Sequence, residues 1–123
     1  MISGCLIGES MRTGAVFDPT GLRIVRITRL DQSTAAGPGQ PSVWTAVEFE
    51  TDDDDLQALA DRIAACLRTE GGWYCDLTSA DEKVVAFAGR VFRYRRGDPA
   101  GRAEAVAYGR AAGVPEHQLD WRE

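Results

Sequence analysis

The chain has 123 residues, 44% of them apolar and 27% charged, with a formal net charge of −5. That is enough for one domain spanning 1–123, with its own core and no need of a metal or disulfide staple, and the acidic balance argues against general binding to nucleic acid or anionic membranes. No apolar run approaches the roughly 18 residues of a membrane span, and the opening MISGCLIGESMR lacks the basic stretch of a secretory signal.

In chain order, residues 2–8 suit a short strand, and VFDPTG at 16–21 a turn led by Pro19 and Gly21. LRIVRITRL, 22–30, is rich in β-branched residues and is expected as a strand with one face only partly covered. A Gly/Pro/Ser loop follows at 33–42. SVWTAVEFE, 42–50, alternates: Val43, Thr45, Val47 and Phe49 share one face, Trp44, Ala46, Glu48 and Glu50 the other.

In LQALADRIAACLRTEGG, Leu56, Leu59, Ala60, Ile63 and Leu67 recur at three- and four-residue steps, the stripe of an amphipathic helix. Thr51 or one of Asp52–Asp54 is expected to cap it, and Arg68 with Gly71-Gly72 to end it. A strand is expected at 73–78. EKVVAFAGRVFRYRR then gives either a hairpin turning at Ala88–Arg90 or one strand bulged near Gly89. Asp98-Pro99 has the form of an N-cap with proline at the first helical position, opening a helix that runs to Gly113 with Ala103, Val106, Ala107 and Ala111 inward. Leu119 and Trp121 are expected to dock back on the body. The order β-β-β-α-β-β(-β)-α implies an α+β fold, an antiparallel sheet of five to six strands with two helices on one face.

The chemistry-bearing residues form no catalytic constellation. Three cysteines (Cys5, Cys66, Cys75) without a C-x-x-C pair or partner histidines indicate neither a zinc site nor a disulfide framework, and suit reduced thiols in a cytoplasm. A Cys75–His117 dyad has no local support. The six carboxylates among Glu48, Glu50 and Asp52–Asp55 lack the alternate spacing of a calcium loop, and place negative charge where a helix dipole favours it. No P-loop or dinucleotide fingerprint is present, so no cofactor or metal is expected. Arg96-Gly97-Asp98 matches an adhesion tripeptide, but Asp98 has a capping role to fill.

GRVFRYRRGDPAGR, ending at Arg102, holds five arginines. On a strand, Phe92 would face the core with Arg93 and Arg95 outward, and Arg96 and Arg102 would flank the second helix start, where anions are favoured. Two readings stay open: the arginines pair with the chain's own acids at Glu48, Glu50 and their neighbours, or Arg93, Arg95, Arg96 and Arg102 form a binding face. The expectation is a non-catalytic protein-interaction or regulatory protein of inhibitor or immunity type, with an unidentified protein partner. The alternative is a binder or enzyme for a small anionic ligand bearing phosphate or carboxylate. Nucleic-acid stacking on Phe92 and Tyr94 is disfavoured because Phe92 is expected inside. Exposed strand edges leave a homodimer open.

Residues 73–121, with Trp73, Phe92, Gly97, Asp98 and the closing GVPEHQLDW as their most distinctive points, resemble the C-terminal part of a group of small actinobacterial proteins. The resemblance implies a soluble bacterial protein. It carries over no activity and no functional residues.

Overall fold

The computed structural model describes residues 1–52 and 54–123. Six strands, β1 (Ile2–Ile7), β2 (Arg23–Asp31), β3 (Val43–Thr51), β4 (Cys75–Thr78), β5 (Glu82–Phe87) and β6 (Arg90–Arg95), form one sheet in the order β2-β3-β1-β4-β5-β6. Every pairing is antiparallel. Two helices, α1 (Leu56–Ala64) and α2 (Pro99–Ala111), complete an α+β fold in the expected element order. The segment around Gly89 resolves as the hairpin: Gly89 sits at φ 71°, open to glycine without strain, and its N–H is bonded to the carbonyl of Ala64 at the end of α1.

The helices do not share a face. Val84 and Ala86 of β5 enter a core with Leu56, Leu59, Ala60 and Ile63 of α1, whereas Val85 and Phe87 enter a second core with Ala105 of α2, Val114 and Trp121. Consecutive residues of a strand point to opposite faces, so α1 and α2 sandwich the β4–β6 end of the sheet. This corrects the expectation of helices segregated to one side. The physical reason lies in β5, whose unbroken apolar run needs cover on both faces.

Helix α1 is shorter than expected, closing at Ala65 rather than at the Gly71-Gly72 pair. Leu67 still reaches the core, held by a bridge to Met11. Its cap is Asp55, whose carboxylate accepts from the Ala58 N–H at 3.0 Å, not Thr51 or an earlier aspartate. Asp53 of the acidic run lies outside the described residues. Asp98 caps α2 as expected, accepting from the Ala100 N–H with Pro99 behind it.

The inward stripe of α2 differs from the alanine stripe anticipated. Ala103, Ala107 and Ala111 are exposed; Val106 packs against the second core as expected, and the other packed positions are Gly101, Ala105 and Gly109. A Cβ at Gly101 would lie 2.4 Å from Cβ of Tyr94, and one at Gly109 would lie 2.9 Å from Cδ2 of Leu119. The helix therefore approaches the sheet through its smallest residues. Alanine is favoured over glycine inside a helix by about 1 kcal/mol, yet Gly101→Ala is expected to destabilise the protein by about 1–3 kcal/mol through overpacking. Urea unfolding decides the sign; a gain in stability would disprove the close approach.

Candidate functional site

The arginines at the β6–α2 junction are largely committed within the chain. Arg93 makes a two-pronged ion pair with Glu82 on the neighbouring strand β5, which lowers the Glu82 carboxyl pKa and raises that of Arg93. Arg96 donates to the carbonyls of Ser79, Ala80 and Glu123. Arg102 donates to the Trp121 carbonyl at 2.8 Å and the Glu123 carboxylate at 3.0 Å, and lies over the Trp121 ring. Arg95 is exposed, and its side chain makes no hydrogen bond or ion pair among the described residues.

The four arginines do not converge. Arg93 stands across from Val84, on the α1 side of the sheet, while Arg96 and Arg102 meet at Glu123. The hollow beside Arg95 and Arg96 also carries Asp81, Asp98 and Glu123, so it offers an anion as much repulsion as attraction. Glu48 and Glu50, the acids first matched to these arginines, are held instead by Arg26 and Arg23 of β2. Sheet order explains the exchange, since β3 lies four positions from β6 and next to β2.

Strand β2 stands apart from the rest of the sheet. It is the edge farthest from both helices, and seven of its nine residues are exposed where only partial exposure of one face was expected. Ile24, Val25 and Ile27 are 43%, 52% and 64% accessible. A break in register between Ile24 and Arg26 marks a bulge at Val25. The Arg23, Arg26 and Arg29 side chains extend outward, and their carboxylate partners Glu50, Glu48 and Glu9 sit inboard and less exposed. The edge strand is therefore basic and β-branched on both faces.

A second feature has no counterpart in the sequence reading. At the end of the sheet a cleft of about 260 Å³ is walled by Trp44, Trp73, Tyr74 and Ile7, with Gln32, His117, Gln118 and Asp120 around it. The Trp44 and Trp73 rings meet edge to face at 4.9 Å. Gly72 lets the backbone pass under Gly113, where a Cβ would come within 2.4 Å of the carbonyl oxygen. Tyr74 donates to the Gln118 carbonyl, and His117 Nε2 lies 2.6 Å from the Ala35 carbonyl. Burial first, then the carboxylates of Asp76 and Asp120, push the Tyr74 hydroxyl far above its ordinary pKa. The cleft's residues come from five separated stretches, so no spacing signature announces it.

Burial disfavours the thiolate at Cys5 and Cys75. Cys75 is fully buried and its pKa is raised by that burial; its S–H is bonded to the Cys5 carbonyl, not to His117. Burial, with Glu48 and Asp76 adding to it, raises Cys5 to about 11. No cluster of three or more His, Cys, Asp or Glu side chains suited to a metal occurs among the described residues. No described helix is long and apolar enough to cross a membrane. Comparison with known proteins returns no match, whether to a family model, a curated protein or a solved structure.

Proposed function

We propose that the chain is a non-catalytic interaction protein whose docking element is the β2 edge, taking an extended acidic segment of another protein as an added strand. One observation carries this reading: a nine-residue edge strand exposes Ile24, Val25 and Ile27 and carries arginine on both faces, Arg23 and Arg26 on the side of Glu50 and Glu48, Arg29 on the side of Thr45. Strand addition draws affinity from free main-chain groups and selectivity from alternate side chains. Long apolar edges are otherwise guarded, and here the guards are arginines and a bulge. Both oppose a second copy of β2, the bulge by interrupting a regular ladder and the arginines by setting like charge against like outside their own carboxylate partners. A segment rich in Asp or Glu meets no such barrier, and steered encounter favours it. The three free cysteines suit a reducing cytoplasm.

A photo-crosslinking residue at Ile27, compared with one at exposed Ala111 on α2, tests the surface in cells. The expected result is a crosslink to another polypeptide from position 27 alone, lost when Arg26 and Arg29 are both changed to Glu. A product made only of two copies of this chain, or equal products from both positions, would sink the proposal.

A further inference from the structure

We infer that the cleft at the end of the sheet is a binding site for small organic ammonium ions, with Trp44, Trp73 and Tyr74 as its aromatic walls and Asp120 as the counter-charge. The site is separate from the surface used in the docking reading, and neither depends on the other.

The walls decide the class of ligand. An aromatic face carries the negative part of a quadrupole, and tryptophan attracts a cation most strongly, within about 6 Å of the ring centroid. Two indoles and a phenol bound this cleft. Tyr74 is held in place by its bond to the Gln118 carbonyl, an edge contact to Trp121 and a tilted contact to Phe87. Trp73 is buried and packed against Trp44. The walls are thus preformed, and a ligand would not have to order them.

The rim gives the sign. Asp120 is the one carboxylate lining the cleft, and it makes no hydrogen bond or ion pair among the described residues. Most other acids at this end of the chain are spoken for: Glu116 pairs with Arg110, and Glu123 with Arg102. No arginine or lysine lines the cleft. An anion would meet aromatic rings and an unpaired carboxylate, with His117, whose Nε2 lies against the Ala35 carbonyl, as the one basic side chain in the lining. A purely apolar ligand would leave Asp120 without a role. A compact cation with a methylated or alkyl shell satisfies both the rings and the carboxylate. A volume of about 260 Å³ limits it to a handful of heavy atoms.

Choline and its neutral isostere 3,3-dimethylbutan-1-ol have nearly the same shape and differ in charge. Each is titrated into the protein at constant ionic strength while the indole N–H resonances of Trp44 and Trp73 are followed by NMR. The expected result is saturable movement of both resonances with choline, at an affinity about tenfold or more above that of the isostere. Asp120→Asn, at an exposed position, should weaken choline by about threefold to tenfold and leave the isostere unchanged. Trp44→Leu keeps an apolar wall without a π face and should cost about tenfold. Equal affinity for the two probes, preference for acetate, or undiminished choline binding by Asp120→Asn would each overturn the assignment. So would no saturation at about 100 mM choline, where even a contact of roughly millimolar affinity would be filled. The Asp120→Asn arm stands by itself if Trp44→Leu does not fold.

Discussion

Trp121→Ala is expected to lower stability by about 3–5 kcal/mol, the range for emptying a large aromatic from a core. Trp121 is 5% exposed and belongs to the α2-side core with Val85, Phe87 and Tyr94. It lies edge to face with Tyr74 at 5.2 Å, and its indole N–H donates to the Tyr94 hydroxyl at 2.8 Å. The Arg102 guanidinium covers its outer face at 4.9 Å, and the same side chain holds its carbonyl. Removing the ring therefore opens a cavity, orphans the Tyr94 hydroxyl on one side, and leaves Arg102 without its platform. Trp121→Phe separates these effects: it keeps most of the volume and loses one hydrogen bond, worth about 1 kcal/mol. Urea unfolding of both variants gives the two numbers. A loss below about 1 kcal/mol for Trp121→Ala would mean that the C-terminal tail does not close the second core.

This dependence on a residue near the end of the chain shows what a sequence can and cannot disclose. Local periodicity was legible: the three- and four-residue stripe of α1, the alternation of β3 and the Asp98-Pro99 start of α2 each appear in place. Sidedness was not read, although a signal for it existed. Val84-Val85-Ala86-Phe87 is apolar without alternation, the pattern of a strand covered on both faces, and it implies a helix on each side. Apolar periodicity locates Val106 on the inward side of α2 but is blind to Gly101 and Gly109, which make the close contact through their lack of a side chain.

The arginine partners followed from strand order, which pairing alone reveals. Arg93 meets Glu82 because β5 is its neighbour, and Glu48 meets Arg26 because β2 is. The aromatic cleft was out of reach for a related reason. Trp44 and Asp120 are brought together only after β3, the 72–74 segment and the tail have all docked. A free edge, by contrast, was partly visible in advance. The run LRIVRITRL has apolar residues on both faces interleaved with arginine, which suits neither a buried strand nor a cleanly half-covered one.

The second large effect concerns the chain's sole lysine. Asp76→Ala is expected to cost about 3 kcal/mol, whereas Lys83→Met should be close to neutral. Lys83 lies on β5 with its side chain only 2% exposed, and its ammonium group is bonded to the Asp76 carboxylate and, at 2.8 Å, to the Thr78 hydroxyl. Asp76 is about one-third exposed. The pair is therefore lopsided: one charge is out of water and the other is partly in it. Cutting Asp76 back leaves the ammonium buried with a single neutral acceptor, and an uncompensated buried charge is what makes such deletions expensive. Replacing Lys83 with methionine removes the buried charge, keeps an unbranched chain of similar length, and leaves a carboxylate that water can reach. The double variant should recover most of the loss seen in Asp76→Ala, giving a coupling energy of roughly 2–3 kcal/mol in a double-mutant cycle. Equal losses for the two single variants would refute the lopsided pair, and would mean that Asp76 depends on Lys83 as much as Lys83 depends on it.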